Sequence, residues 1–291
     1  MFKACYSAKY FALTPTASML KLKPVAEAVA AAGYATLIDP GVIDLEKLRQ
    51  LHHPSYVDAF VAGEQPLASS PGWGWTPEIR DGVLAIQAGQ LVAARHALTE
   101  GIAANIAQGF HHAGYWRGAN FCTFNGLALI AQEFPDKKIF VLDCDEHNGD
   151  GTAEFTLRLP NLFNYSICGA HWRFDVNDRS VLAALPPLGG VFASYRTALH
   201  AAFDAITKWK PDLVLYQAGA DPHEDDPLGS LEMTTEQLYE RDRLVFQFCW
   251  QNQMPVCFVL AGGYQTPIET RLVPLHVNTF KAAAEVFNHT H

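Results

Sequence analysis

The sequence predicts an α/β protein, a three-layer sandwich in which a central, mostly parallel sheet carries helices on both faces. Three observations predict it. Short runs rich in β-branched and aromatic residues recur along the 291 residues. These runs are close to uniformly apolar, as strands covered on both faces must be. Longer segments with helical spacing separate them, which is the pattern of a parallel sheet between helix layers.

The strand-like runs fall at 34–38 (YATLI), 139–143 (IFVLD), 162–168 (LFNYSIC), 212–217 (DLVLYQ) and 255–260 (PVCFVL), with a further strand around 104–108. Helical spacing covers 21–32, 78–100, 195–209, 235–252 and 270–287. Segment 64–77 (EQPLASSPGWGWTP) is non-repetitive and reads as a loop before a helix that starts near Pro77. It is either a functional loop or a surface connection whose Trp73 and Trp75 cover that helix. No Ser/Gly/Pro-rich linker and no internal repeat divides the chain, so one domain over 1–291 is expected.

Composition narrows the function. With 49% hydrophobic and 18% charged residues the chain can bury a sizeable core. A net charge of −9 with scattered Lys and Arg argues against direct nucleic-acid binding. The six cysteines lie mostly in apolar runs and form no C-x-x-C pair, as buried thiols of a reducing compartment do. The N-terminus lacks a signal-peptide pattern and no run of 18 apolar residues occurs, so no membrane association and a cytoplasmic location are expected. Nothing in the sequence selects an oligomeric state.

In a parallel α/β sheet, ligands bind beyond the carboxyl ends of the strands, and four such ends carry reactive side chains. Segment 139–151 (IFVLDCDEHNGDG) ends a strand in Asp143, Asp145 and His147 at spacing two, which strand periodicity sends to one side. A helix cap needs one Asp or Asn, whereas this stretch holds six acidic, amide or imidazole residues, and such clustering beside a buried strand calls for a cation. Carboxylate and imidazole suit zinc, which in catalytic sites takes three protein ligands and keeps an open position; the same set would also hold Fe²⁺ or Co²⁺. Asp221, just past the strand at 212–217, could complete the ligands. His223, Glu224, Asp225 and Asp226 compete with it, and Asp221 is favoured as the nearest to the strand end.

In GFHHAGYWRGANFCTFN (109–125), adjacent His111 and His112 cannot both point inward from a regular strand, so a turn must present them together. One could be a satisfied core histidine, but imidazole is the usual proton carrier near neutral pH, and Asp143 and Asp150 are available to orient the rings. In FVLAGGYQ (258–265), two glycines allow close backbone approach and Tyr264 could donate to a developing oxyanion, although a GGY turn alone is weak.

The ordered set HHA (111–113), NFCTFN (120–125), DCDEHNGDG (143–151), GADPHEDDPLGSL (219–231) and AGGYQ (261–265) resembles the histone deacetylase family. The two-glycine form followed by Gln265 looks like its class IV branch. Residues 2–45 are similar more loosely. The resemblance implies an arginase/deacetylase-like fold and hydrolysis of an acyl-lysine amide. It implies one Zn²⁺ on Asp145, His147 and Asp221. It implies His112, paired with Asp150, as general base and then acid, and His111, beside Asp143, as an electrostatic partner. Tyr264 would polarise the scissile carbonyl and Phe121 would line the acyl-lysine tunnel. A structural monovalent cation, K⁺, would lie on Asp143, Asp145, His147, Ser166 and Ile167, mostly through carbonyls.

The chain departs from the family pattern in three places. Asn120 precedes Phe121 where the family commonly has glycine, and its side chain could narrow the rim. LTPTASM (13–19) replaces the usual leucine, histidine and proline, which bears on the inner side of the acyl pocket. Glu146 stands between two ligands and is expected to face away. Acetylpolyamine hydrolysis is the neighbouring reading, but polyamine-selective relatives carry a glutamate where this chain has Leu228, which favours lysine substrates or longer acyl chains. A silent acyl-lysine binding module is the third, and the presence of every ligand and of Tyr264 speaks against it.

Overall fold

The structure, a computed structural model, describes residues 1–171, 176–189 and 192–288. Its strands are β1 (Phe2–Cys5), β2 (Ala35–Ile38), β3 (Ile102–Asn105), β4 (Ile139–Asp143), β5 (Leu162–Cys168), β6 (Ser180–Ala184), β7 (Leu213–Gln217) and β8 (Val256–Val259). They form one eight-stranded sheet in the order β2-β1-β3-β8-β7-β4-β5-β6. Every pairing is parallel. The helices are α1 (Ala17–Leu20), α2 (Leu22–Ala31), α3 (Leu45–Leu51), α4 (Pro54–Ala62), α5 (Pro77–Glu100), α6 (Gly126–Glu133), α7 (Asp150–Thr156), α8 (Ala193–Trp209), α9 (Thr235–Gln251) and α10 (Val273–Phe287). They cover both faces of the sheet.

Strands β3, β4, β5, β7 and β8 are buried at every position, which accounts for their uniformly apolar runs. The strand expected around 104–108 lies earlier, at Ile102–Asn105, because the chain leaves the sheet at Ile106 to carry the histidine segment. Strands β1 (FKAC) and β6 (SVLAA) were not expected. One is four residues long, and the other is a half-exposed edge, so neither has an apolar run to read. The helix expected over 270–287 divides into a π turn at Ile268–Leu272 and α10, with Pro274 in its first turn where no backbone donor is required.

The chain lays down β4, β5 and β6 before β7 and β8 return to fill the gap between β3 and β4. This late insertion makes β3, β8, β7 and β4 consecutive neighbours. A buried arginine on α9 locks the inserted part. Arg241, 1% exposed, pairs with Asp242 at 2.9 Å and donates through Nη1 to the carbonyls of Cys144 (3.1 Å) and Gly219 (2.8 Å). Asp242 also accepts from the Tyr216 hydroxyl and, at 2.6 Å, from Thr279. Among the described residues, no helix is long and apolar enough to cross a membrane.

Removing one partner of a buried pair leaves an uncompensated charge, at about 3–5 kcal/mol. Arg241→Met is therefore expected to lower unfolding stability in urea by that amount; a loss below about 1 kcal/mol would show that Arg241 does not tie the two strand ends together.

Candidate active site

Because β3, β8, β7 and β4 lie side by side, the four segments that follow them meet at one point beyond the sheet's carboxyl edge. Only Asp143 of the first motif belongs to a strand. Asp145 and His147 reach the site through side-chain turns rather than strand alternation: Asp145 N–H donates to Asp143 Oδ1 (3.2 Å) and His147 N–H to Asp145 Oδ1 (3.0 Å). They meet Asp221, and the ligand atoms of the three lie within 4.8 Å of one another. His147 Nδ1 stands 3.2 Å from both Asp145 Oδ1 and Asp221 Oδ2.

Glycine makes this approach possible. A Cβ on Gly219 would stand 2.6 Å from Asp221 Oδ1 and 2.8 Å from Asp145 Cα, and one on Gly262 would collide with the Asp221 carboxylate. Burial and the neighbouring Asp145 raise the Asp221 carboxyl to about 8. Burial opposes charge on His147 too, but its bonds to Asp145 and Asp221 raise it to about 11. Two such carboxylates in a dry corner fit a divalent cation, with the imidazole as a neutral third ligand.

The competing acidic residues have other partners. His223 faces Thr235 Oγ1 at 3.0 Å and accepts from Asp225 N–H, while Glu224 is exposed. Asp226 accepts from the backbone of Leu228 (3.0 Å) and of Tyr264 (2.8 Å). Glu146 points away from the ligand atoms and accepts from Ser230 N–H (2.9 Å), Ser230 Oγ (2.5 Å) and Ala170 N–H (3.1 Å), fastening the next loop.

The expected turn before the histidines is present: Phe110 takes φ 60°, a left-handed conformation that brings both rings to one side with centroids 3.9 Å apart. His111 Nδ1 bonds Asp143 Oδ2 at 2.8 Å, and His112 Nδ1 bonds Asp150 Oδ1 at 2.6 Å. The two rings titrate in opposite directions. Burial opposes charge on His111, but Asp143 and Asp145 outweigh it and raise the ring to about 9. Burial, reinforced by the charge on His111, lowers His112 to about 4.

The turn that bears Tyr264 is held from three sides. Buried Lys21 donates to the Ala261 carbonyl (2.6 Å), Gly262 N–H donates to Asp145 Oδ2 (2.7 Å) and Tyr264 N–H to Asp226. Ala261 sits at φ 54°, so these bonds hold a strained backbone. Burial first, then Asp221 and Asp145, push the Tyr264 phenol well above its ordinary value, leaving it a donor. Its ring centroid lies 6.0 Å from that of Phe121.

Asn120 and Phe121 also take left-handed backbone, at φ 45° and 65°. The loop at 64–77 braces them: Phe121 N–H donates to Pro71 O (2.6 Å), and buried Trp73 packs 6.4 Å from both Phe110 and Phe121. Trp75 donates to Phe60 O at 2.7 Å, so it anchors the loop on α4 rather than on the helix that starts at Pro77. Asn120 lines the cavity mouth, and Leu228 is 45% exposed. Ser166 and Ile167 are buried in β5, with Ser166 in register beside Asp143. Sequence reasoning missed Lys21, Gln108 and Gln217, single polar residues inside or just past apolar segments. Their only signal is that isolation.

The parallel sheet with its reactive strand ends defines the arginase/deacetylase-like fold. The solved acetylpolyamine aminohydrolase from Burkholderia pseudomallei superposes with a TM-score of 0.80 over 99% of each chain, at 17% identity. A profile of the histone deacetylase domain matches residues 16–280. An uncharacterised protein of Picosynechococcus sp. is 35% identical over 273 residues, 87% of this chain and 90% of the relative. Histone deacetylase 2 of Arabidopsis thaliana is 28% identical over 188 residues, 60% of this chain and 48% of the relative. The chain belongs to the histone deacetylase family, whose members hydrolyse acyl-amides, and it is a hydrolytic enzyme.

Elemental analysis of the purified protein is expected to find about one divalent ion per chain. Asp221→Ala should lose it, and full occupancy in that variant would refute the ligand set.

Proposed function

We propose that the chain, as a single domain over 1–291, removes the acyl group from Nε-acyl-lysine in a protein or peptide. The observation that carries this reading is the meeting of Asp145, His147 and Asp221 with the His111–His112 pair on one side and Tyr264 on another. Asp145, His147 and Asp221 would hold Zn²⁺. When bound, the ion supplies Lewis-acid polarisation of the amide and a lowered pKa for water.

His112 takes the proton of the attacking water on Nε2, since Nδ1 is bonded to Asp150 and the lowered pKa keeps the ring neutral. His111 remains cationic beside Asp143 and offsets negative charge as the carbonyl is attacked. The Tyr264 hydroxyl donates to the developing oxyanion. A protonated histidine then delivers a proton to the departing amine, so water and amide become carboxylate and amine. Phe121 and Asn120 flank the entering chain.

The AGGYQ turn supports a class IV relationship. Asp143, Asp145, His147, Ser166 and Ile167 form the matching position for a structural K⁺. Lack of a membrane-crossing helix among the described residues is consistent with a cytoplasmic location. The alternative substrate is an acetylpolyamine or another small acyl-amine, favoured by the fold shared with the acetylpolyamine aminohydrolase and opposed by Leu228 at the rim.

Zinc-loaded protein should hydrolyse an acetyl-lysine peptide faster than an acetylpolyamine, with chelation abolishing both; binding without turnover would instead identify a silent module. Tyr264→Phe is expected to lower kcat by about 10²–10³ with metal retained, and near-normal turnover would take the tyrosine out of the mechanism.

The histidine shifts set the pH profile. Activity is lost as pH falls through about 4 and His112 gains a proton, and again as pH rises through about 9 and His111 loses one. Asp143→Asn removes an attraction that raises His111, so the alkaline limb of kcat/KM should move toward neutrality. An unmoved limb would separate His111 from that limb.

A further inference from the structure

Beside Tyr264 and Asp145 lies a small cavity lined in part by polar side chains, one of them anchored on both sides. The cavity beside Tyr264 and Asp145 measures about 20 Å³, room for about one water molecule. Its lining includes Ser18, Gln108 and Gln217. Gln108, 7% exposed, follows β3 and reaches across to α1, where Nε2 donates to the Ser18 carbonyl at 2.5 Å. Its own carbonyl accepts from Gln90 Nε2 of α5 at 2.8 Å, so backbone and side chain are both fixed. Donation to Ser18 settles the amide's orientation and leaves Oε1 as the remaining acceptor. Among the described residues that buried oxygen has no partner, and neither has Oε1 of Gln217.

We propose that Gln108 is the specificity-determining end of the acyl cavity, and that it selects short acyl groups bearing a hydroxyl, the 2-hydroxyacyl class, over apolar acyl chains of four carbons or more. An apolar chain pushed against Gln108 displaces the one water and leaves a buried acceptor unsatisfied, which is costly. A hydroxyl on a short acyl group supplies the missing donor. A long chain meets the anchored Gln108–Ser18 bridge and has no room beyond it. This selection rests on the amidohydrolase reading and replaces the preference for longer acyl chains expected from Leu228.

The test uses the zinc-loaded full chain and lysine peptides bearing acetyl, lactyl, butyryl or octanoyl groups. The wild type is expected to show kcat/KM for lactyl about tenfold above butyryl, with no octanoyl cleavage. Gln108→Met and Gln108→Ala should reverse the lactyl-to-butyryl order. Butyryl or octanoyl cleaved as well as lactyl by the wild type, or an order unchanged in both variants, overturns the proposal. If the wild type cleaves none of the peptides, the acyl-lysine reading fails, and ligand-observed NMR with lactate and butyrate then decides for Gln108. Tighter lactate binding that the variants lose supports the proposal, and equal binding of the two acids in all three proteins overturns it.

Discussion

Asp143, Asp145 and Asp221 stand together in a corner of the fold where none is more than 2% exposed, and much of the surrounding structure balances their charge. Buried carboxylates are tolerated only when paired or bound to a cation. Asp143 has His111; Asp145 and Asp221 share His147. Burial pulls Lys21 down to about 8 despite the three nearby carboxylates of Asp221, Asp145 and Asp226, and it adds a further positive group. A divalent ion at the proposed site would complete this balance. It would also explain why an acidic cluster survives, buried, at the carboxyl edge of a sheet whose central strands are mostly apolar.

The same charges shape the backbone around them. Asp145 uses one oxygen at the ligand set and the other to hold Gly262, while Asp226 holds Tyr264 and Lys21 holds Ala261. Tyr264, the proposed oxyanion donor, is thereby held by bonds to residues around the candidate metal site. Arg241 does the corresponding work behind the sheet, joining the carbonyl of Cys144, next to Asp145, to that of Gly219, near Asp221. The candidate ligands on two strand ends are thus placed by one buried guanidinium, which explains how segments 74 residues apart keep their geometry.

The central strands and the long helices were legible because burial on both faces leaves a continuous apolar run and amphipathic helices leave a period. Strand β1 is interrupted by Lys3, β6 is a half-exposed edge, and the short helices α3, α4, α6 and α7 have too few residues for a period. The cluster of Asp145, His147 and Asp221 was legible because costly side chains gather at strand ends, yet the reason offered for its convergence was incomplete: strand alternation ends at Asp143, and hydrogen-bonded turns carry Asp145 and His147 onward. Gln108 and Lys21 escaped notice because a single polar residue looks the same in sequence whether it faces water or a buried cavity. Their meaning depends on partners 90 and 240 residues away.

The family relationship supplies the reaction class, and the local charge balance supplies the reason this chain can perform it. The account's central claim is that Asp145, His147 and Asp221 bind one divalent ion between them. Anomalous diffraction from zinc-soaked crystals tests it most directly. The account predicts one strong peak bounded by those three side chains; a peak elsewhere with that position empty would contradict it.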